Sequence, residues 1–164
     1  MNLLDIHIRV QRMRWDELSD DQRALLSAAK QMTTQSYCPY SHFRVGAAAR
    51  LANGLVVTGS NQENAAYPSG LCAERTTLFA ANANHPDQGV TALAIACYTQ
   101  GAFTPYPGSP CGSCRQVMIE TEHRYGIPME VLLYGEEYTY VFERASDLLP
   151  LGFFSEDLNG DKKA

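Results

Sequence analysis

The stretch that decides the fold is LCAERTTLFAANAN, residues 71–84, followed after a short polar segment by VTALAIACY, residues 90–98. The first segment is rich in alanine, and its apolar residues stand at helical spacing, so it predicts a helix. The second is a short apolar run bounded by glycine-containing turns, which is typical of a buried strand. A helix followed at once by a buried strand indicates an α/β domain.

The segments before this pair extend the pattern. Ser19 begins a capping-box sequence, and leucines at helical spacing follow it, so we predict a helix from about residue 20 to residue 35. Residues 43–57 are apolar on both sides of Asn53-Gly54, a pair that tolerates the positive φ angles of a tight turn. These residues predict a β-hairpin.

The segments after the pair predict a second helix and two more strands. Residues 111–124 have a helical pattern, and a short helix is expected in SDLLP, residues 146–150. Between them lie two strands, residues 130–134 and 138–142, which three residues separate, so they should pair antiparallel. This order predicts a three-layer α-β-α sandwich with a central mixed five-stranded sheet and helices on both faces.

The two ends of the chain differ from this core. In DIHIRVQRM, residues 5–13, apolar and polar residues alternate, which predicts a short half-buried strand or an ordered arm. We therefore divide the chain into an N-terminal extension, residues 1–18, which is a strand or an arm at a subunit contact, one domain, residues 19–158, and a polar tail, residues 159–164.

Composition limits the class of partner. The formal charge is −5, with 13 basic residues scattered among 18 acidic ones, whereas binding to a nucleic acid polymer needs a basic cluster. No apolar run approaches the ~20 residues that cross a bilayer, and charges interrupt the N-terminal stretch where a signal peptide is apolar. We expect a cytoplasmic chain that acts on a small uncharged molecule, without a nucleic acid or membrane partner.

The cysteines divide into two groups. There are five of them, and an odd count in a chain expected to be cytoplasmic argues against a disulfide framework. Cys97 lies in an apolar run and should pack as a small hydrophobic residue, while Cys38 is interpreted as an incidental thiol. Cys72, Cys111 and Cys114 remain as candidates for chemistry.

These three cysteines stand at the starts of two predicted helices. Cys72 begins one, and Cys111 and Cys114 begin the other. The N-terminus of a helix carries free N–H groups and a partial positive charge, which favours thiolate over thiol. If the two helices enter one cleft, three thiolates converge on a site suited to zinc. Three ligands leave the fourth tetrahedral position open, as in catalytic rather than structural zinc sites.

Two other uses of these cysteines stay open at this point. A structural zinc site would need a fourth ligand, but none of the four histidines stands at zinc-finger spacing from a cysteine. A redox pair would use Cys111 and Cys114 alone and would leave Cys72 and Glu74 unexplained.

Glu74 and Arg75 follow Cys72 directly in the sequence. Beside a zinc ion with an open position, a carboxylate can carry protons between a water molecule and a substrate. Three thiolates on Zn²⁺ leave a net charge of −1, which a nearby cation offsets. We therefore predict that Glu74 is catalytic and that Arg75 hydrogen-bonds a ligand thiolate.

The pattern C-x-E followed by P-C-x-x-C is the signature of zinc-dependent deaminases. The segments YCPYSHFRVGAA, NQENAAYPSGLCAERTTLF, SPCGSCRQV and LLPLGFFSEDL together resemble the small cytidine deaminases of the homotetrameric class. The resemblance runs from about residue 20 to residue 158. It implies one Zn²⁺ per subunit, held by Cys72, Cys111 and Cys114, with Glu74 as the proton shuttle.

The same resemblance implies a set of substrate contacts. Asn61 and Glu63 match the pair that hydrogen-bonds a ribose hydroxyl, and Phe43 matches an aromatic side chain that packs on the pyrimidine. The backbone at Ala73 matches the group that recognises the base carbonyl. Phe153 matches an aromatic residue donated by a neighbouring subunit, so each site of a homotetramer would be completed across subunits.

The implied function is hydrolytic deamination of cytidine and 2′-deoxycytidine to uridine and 2′-deoxyuridine, with release of ammonia, in pyrimidine salvage. Three alternatives differ in substrate or class: a blasticidin-type nucleoside deaminase, a polynucleotide deaminase and a non-catalytic structural zinc module. The pair Asn61 and Glu63 argues against the first. The excess of acidic over basic residues, and a cysteine rather than a histidine as the first zinc ligand, argue against a polynucleotide deaminase.

Overall fold

The computed structural model describes residues 1–160, so residues 161–164 of the predicted polar tail lie outside the described residues. The helices are α1 (Asp20–Met32), α2 (Ala73–Asn84), α3 (Gly112–Tyr125) and α4 (Ser155–Asn159). The strands are β1 (Gln11–Met13), β2 (Arg44–Leu51), β3 (Val56–Ser60), β4 (Val90–Thr99), β5 (Ala102–Phe103), β6 (Glu130–Leu133) and β7 (Thr139–Phe142).

The strands form one mixed sheet in the order β1-β7-β6-β4-β2-β3, with β5 paired to β4. β4 and β6 run parallel, and the other neighbouring strands run antiparallel. The five predicted strands are β2, β3, β4, β6 and β7, and the predicted fold class is confirmed. The two additional strands contain only three and two residues. β1 lies within residues 5–13, whose alternation predicted a strand or an arm, whereas β5 is too short for a periodic pattern to show.

Helices cover both faces of the sheet. Side chains of β2 alternate between the faces, so Ala47 and Ala49 pack with α2 and α3, whereas Ala48 packs with α1. On the α1 side the sheet presents small residues, and the helix comes close to it. A Cβ on Gly46 would lie 2.1 Å from the carbonyl oxygen of Ala29, so only glycine fits at this crossing.

The N-terminal segment, predicted as a short strand or an ordered arm, contains a short strand at its end. β1 covers the last three of residues 5–13, and residues 1–10 form neither a helix nor a strand. The register explains the difference, because Gln11 pairs with Val141 and β7 ends one residue later at Phe142. Residues before position 10 therefore run past the end of the sheet.

Helix ends also differ slightly from the predicted ones. α1 ends at Met32 and continues as a 3₁₀ turn through Gln35, and the helix predicted in residues 146–150 is a 3₁₀ turn, Ala145–Leu148. Among residues 1–160, no helix combines the length and apolar character needed to span a membrane.

Candidate active site

Two helices begin at the same end of the sheet. β3 and β4 are both antiparallel to β2, so they run in the same direction. A loop leads from the end of β3 to α2, and another leads from the end of β4 through β5 to α3. The N-termini of α2 and α3 therefore meet beside the ends of β3 and β4.

Three cysteine sulfurs converge at this meeting point. Cys72 is the N-cap residue of α2, Cys111 is the N-cap residue of α3, and Cys114 lies in the first turn of α3. The Sγ atoms of Cys72 and Cys111 are 3.9 Å apart, those of Cys111 and Cys114 are 3.4 Å apart, and all three lie within 4.8 Å of one another. The predicted convergence of the two helices is thus observed.

This donor set fits zinc. A tetrahedral Zn²⁺ with Zn–S bonds of about 2.3 Å places its sulfur ligands about 3.8 Å apart. The two separations above bracket that value, and all three cysteines are free thiols. Among the described residues, these cysteines are the one group of His, Cys, Asp or Glu side chains close enough together to hold a metal ion.

Charge at the cluster favours a thiolate. A hydrogen bond from the Cys114 thiol, together with the Arg75 guanidinium, lowers the pKa of Cys72 to about 5. The guanidinium turns back toward the helix start, so that its Nη2 lies 3.9 Å from the Cys72 sulfur. Its Nε is buried and forms no hydrogen bond to any described residue.

Glu74 lies close to the Cys72 and Cys114 sulfurs and lines a cavity. Its side chain belongs to the first turn of α2 and is only 4 % exposed. Burial raises the pKa of this carboxyl above its ordinary value, and the neighbouring Cys72 thiolate raises it further. A raised pKa makes this carboxyl a better proton acceptor than an ordinary glutamate, which suits a group that accepts a proton and then returns it.

The cavity has a volume of about 770 Å³ and extends from the sulfurs to the loop before β2. Phe43, Asn61, Glu63, Glu74 and Arg75 all line it. Residues that come from three separate segments of the sequence therefore face one space.

Asn61 and Glu63 hold the rim of this cavity in place. Asn61 accepts a hydrogen bond from the Val45 N–H and donates one to the Phe43 carbonyl, each 2.8 Å long. Glu63 accepts hydrogen bonds from the Ser41 hydroxyl and from the N–H groups of Tyr40 and Ser41. The Ser41 hydroxyl, followed by the backbone groups, lowers the pKa of Glu63.

Ala73 and Phe153 are absent from the lining of this cavity among the described residues. Ala73 is fully buried and begins α2, where helix N–H groups have no partner within the helix. Phe153 is 56 % exposed, and its backbone N–H and carbonyl are both bonded to the Gln116 side chain.

Sequence reasoning missed several residues that shape the site. The Ser41 hydroxyl joins Glu63 to the backbone N–H of Phe43. Arg115 bonds the carbonyls of Pro110 and Leu148, and so fixes the loop that leads into Cys111. Ser41 and Arg115 both lie inside the quoted motifs, but nothing in their residue type indicated these contacts.

Cys97 is buried, as predicted, and lines the cavity. Burial raises the pKa of its thiol to about 12. The backbone of the loop before α3 rests on its sulfur, because a Cβ on Gly108 would lie 2.6 Å from it. This thiol therefore packs as a small apolar group.

Comparisons with known proteins agree with this geometry. Residues 19–127 match the family model described as cytidine and deoxycytidylate deaminase zinc-binding region. A cytidine deaminase of Halalkalibacterium halodurans is 40 % identical over 85 % of this chain and 98 % of its own length. One of Mycobacterium tuberculosis is 38 % identical over 87 % of this chain and 97 % of its own length.

Solved structures give the same family. The crystal structure of cytidine deaminase from Burkholderia pseudomallei has a TM-score of 0.68 at 42 % identity and covers 79 % of this chain and 97 % of its own. The crystal structure of cytidine deaminase from Mycobacterium tuberculosis has a TM-score of 0.64 at 34 % identity. It covers 83 % of this chain and 99 % of its own. The resemblance inferred from the motifs is confirmed, and with the sulfur cluster it confirms the predicted zinc cofactor. The chain belongs to the zinc-dependent cytidine and deoxycytidylate deaminase family.

Proposed function

We propose that this protein catalyses the hydrolytic deamination of cytidine and 2′-deoxycytidine, giving uridine or 2′-deoxyuridine and ammonia. The observation that carries the proposal is a buried carboxyl, Glu74, which lines a cavity of nucleoside size together with Cys72 and Cys111 of the three-sulfur cluster. A structural zinc module has no need of a titratable group or an open space at its metal.

The metal would be held by the Cys72, Cys111 and Cys114 thiolates, with Arg75 offsetting their charge. Zinc bound in this way supplies a Lewis acid that lowers the pKa of a water molecule at its open position. Arg75 supports this arrangement because its guanidinium lies 3.9 Å from the Cys72 sulfur.

Glu74 then manages the protons of the reaction. The attacking water has two protons, and its oxygen becomes the carbonyl oxygen at C4 of the base. Glu74 accepts the first proton and transfers it to ring N3, where it stays in the product. It passes the second to the amino group, which leaves as ammonia. A buried carboxyl suits this role because its raised pKa makes it a better proton acceptor than an exposed glutamate.

The cavity wall would recognise the nucleoside. Phe43 packs on the pyrimidine, the first-turn N–H of Ala73 donates to the base carbonyl, and Asn61 and Glu63 bind ribose hydroxyls. The hydrogen bonds that Asn61 and Glu63 already make support this role, because they orient both side chains before a substrate arrives. Polar groups fixed in this way discriminate against analogues that leave them unpaired.

Assembly completes the site in this proposal. Phe153 is exposed in the single chain and would enter the cavity of a neighbouring subunit in a homotetramer. The enzyme would act in the cytoplasm, in pyrimidine salvage, on free nucleosides rather than on nucleic acid polymers.

A direct assay tests the function. Zinc-loaded protein is mixed in turn with cytidine, 2′-deoxycytidine, blasticidin S and a cytosine-containing single-stranded oligonucleotide, and the change in ultraviolet absorbance is followed. We expect loss of cytosine absorbance with the two nucleosides alone. No change with cytidine would contradict the proposal, and a preference for either of the other substrates would favour the corresponding alternative.

Arg75 gives a second test, because its predicted role concerns the metal rather than the substrate. We expect Arg75→Gln to lower zinc affinity or kcat by roughly 10- to 100-fold, as is usual when a residue that hydrogen-bonds a ligand is lost. Arg75→Lys is the matched control. It keeps the positive charge, so its zinc affinity and kcat should lie between those of the wild-type protein and those of Arg75→Gln. Zinc content per chain is measured by inductively coupled plasma mass spectrometry. Normal zinc content and rate in Arg75→Gln would remove Arg75 from the site.

A further inference from the structure

The N-terminal segment LDIHIRV, residues 4–10, has nearly the same pattern in both directions. Apolar residues occupy positions 4, 6, 8 and 10, and polar residues occupy the positions between them. The acid Asp5 and the base Arg9 stand at equal distances on either side of His7. A segment of this kind is complementary to itself when it is reversed.

This segment, which we call the arm, has no strand partner among the described residues. Its apolar side chains are open to solvent, with Ile6 45 % exposed, Ile8 50 % and Val10 43 %. Three regularly spaced β-branched side chains that are half-exposed form an apolar stripe, and a strand pattern without a partner is the usual site of pairing with another chain.

The base of the arm is held firmly. β1 pairs with β7, and the Arg12 guanidinium lies over the Tyr138 ring at 3.9 Å from its centroid. Just after β1, the Trp15 ring meets the Tyr134 ring edge-on at 6.0 Å. The arm therefore projects from a fixed edge of the sheet.

We infer that the arm pairs antiparallel with the arm of a second copy of this chain, about a two-fold axis that passes beside His7. In this register Ile6 lies opposite Ile8 of the second copy, and Leu4 lies opposite Val10. Asp5 lies opposite Arg9 of the second copy, and the two-fold axis generates this ion pair twice. Directly opposed residues of opposite charge stabilise antiparallel strands, and like charges destabilise them.

Other strand registers lose either the contacts between apolar side chains or the Asp5–Arg9 ion pairs. A shift of the partner arm by one residue sets apolar residues opposite polar ones. A shift by two residues keeps apolar residues together but sets Asp5 opposite His7 or Gln11, and Arg9 then loses its acid. The register centred on His7 matches both the apolar stripe and the charges, which is why the occupant is a second copy and not an unrelated strand.

This contact is separate from the proposed deamination. The family match begins at residue 19, so it assigns no role to the arm. The arm is also a different segment of the chain from Phe153, through which the homotetramer is proposed to complete its sites. Arm pairing therefore adds a contact that joins one assembly to another without changing the chemistry.

A charge-reversal experiment tests the pairing. Asp5→Arg and Arg9→Asp each place like charges opposite each other twice per contact, so we expect each variant alone to bind its own copy at least roughly tenfold more weakly. At a concentration where the wild-type protein is fully associated, the particle mass measured by light scattering should fall by at least half. Deaminase activity should be unchanged, because neither residue lies in the site.

Mixing the two variants is the decisive step. The cation introduced by Asp5→Arg then faces the carboxylate introduced by Arg9→Asp, and the original Arg9 of one chain faces the original Asp5 of the other. The mixture should therefore regain the wild-type mass, as should the double variant Asp5→Arg/Arg9→Asp. Asp87→Arg, on the exposed turn after α2, is the charge-matched control and should retain the wild-type mass.

Two results would overturn the inference. One is an equal mass for wild type and both single variants at every concentration. The other is failure of the mixture and the double variant to regain the mass lost by the single variants, since that loss would then not come from the Asp5–Arg9 register. Failure of the cytidine assay would leave these masses unaffected, so the two proposals fail independently.

Discussion

Replacement of Glu74 by Gln is expected to remove nearly all deaminase activity and to leave the metal in place. The substitution keeps the size and hydrogen-bonding reach of the side chain but removes the group that carries protons. General acid–base catalysis by one positioned group contributes roughly 10²- to 10⁴-fold. Since Glu74 is proposed to serve in both proton transfers, we expect a loss of kcat near the upper end of this range. KM should change much less, because the base and ribose contacts remain.

Three measurements separate a chemical effect from a structural one. These are initial rates with cytidine, zinc per chain and the thermal unfolding midpoint. Glu120→Gln, an exposed carboxylate on α3, is the matched control and should retain full activity. A Glu74→Gln protein that keeps its zinc and more than a tenth of the wild-type kcat would show that another group moves the protons.

The sequence predicted the layers of this fold well because each main element is long and strongly patterned. β4 is a run of apolar residues and α2 is rich in alanine, so local preference and tertiary packing agree. The sequence left the choice between a strand and an arm open where strand pairing decides the structure. Residues 5–10 alternate like a strand, but β7 ends beside them, and a strand needs a partner to satisfy its backbone groups.

The site shows the same division. Cys72, Cys111 and Cys114 could be grouped from sequence because each begins a helix, and helix starts are predictable. The contacts around Glu63 could not be grouped in this way. They depend on how the loop before β2 folds back on residues 61–63, and Ser41 donates to Glu63 across 22 positions of sequence. Loop geometry of this kind has no periodic signal.

Replacement of one proposed zinc ligand should lower the deaminase activity as much as Glu74→Gln does, but because the metal is lost. Cys114 is fully buried, and its sulfur lies 3.4 Å from that of Cys111. In Cys114→Ala two sulfurs remain, and we expect zinc to fall from one per chain to less than about a tenth after dialysis, because a site with one ligand missing loses most of its affinity. Activity should fall below detection, since neither proton transfer by Glu74 nor binding of cytidine replaces the metal.

Stability should fall together with the metal. Zinc that binds the folded chain and not the unfolded one adds to the free energy of unfolding, and zinc held by the three cysteines would also join the starts of α2 and α3. We expect the Tm of Cys114→Ala to be lower by about 5 °C or more in the presence of zinc. Removal of zinc from the wild-type protein with a chelator should bring its Tm close to that of the variant.

Cys97→Ala separates the metal effect from simple packing. Cys97 is also buried, at 5 % exposure. Its replacement by alanine likewise removes one sulfur atom from the core, but this sulfur lies outside the cluster. The cost of a small cavity should appear in both variants, whereas loss of zinc and a Tm insensitive to the chelator should appear only in Cys114→Ala. Full zinc content in Cys114→Ala would mean that the metal is held elsewhere, and the convergence of α2 and α3 on three sulfurs would then need another explanation.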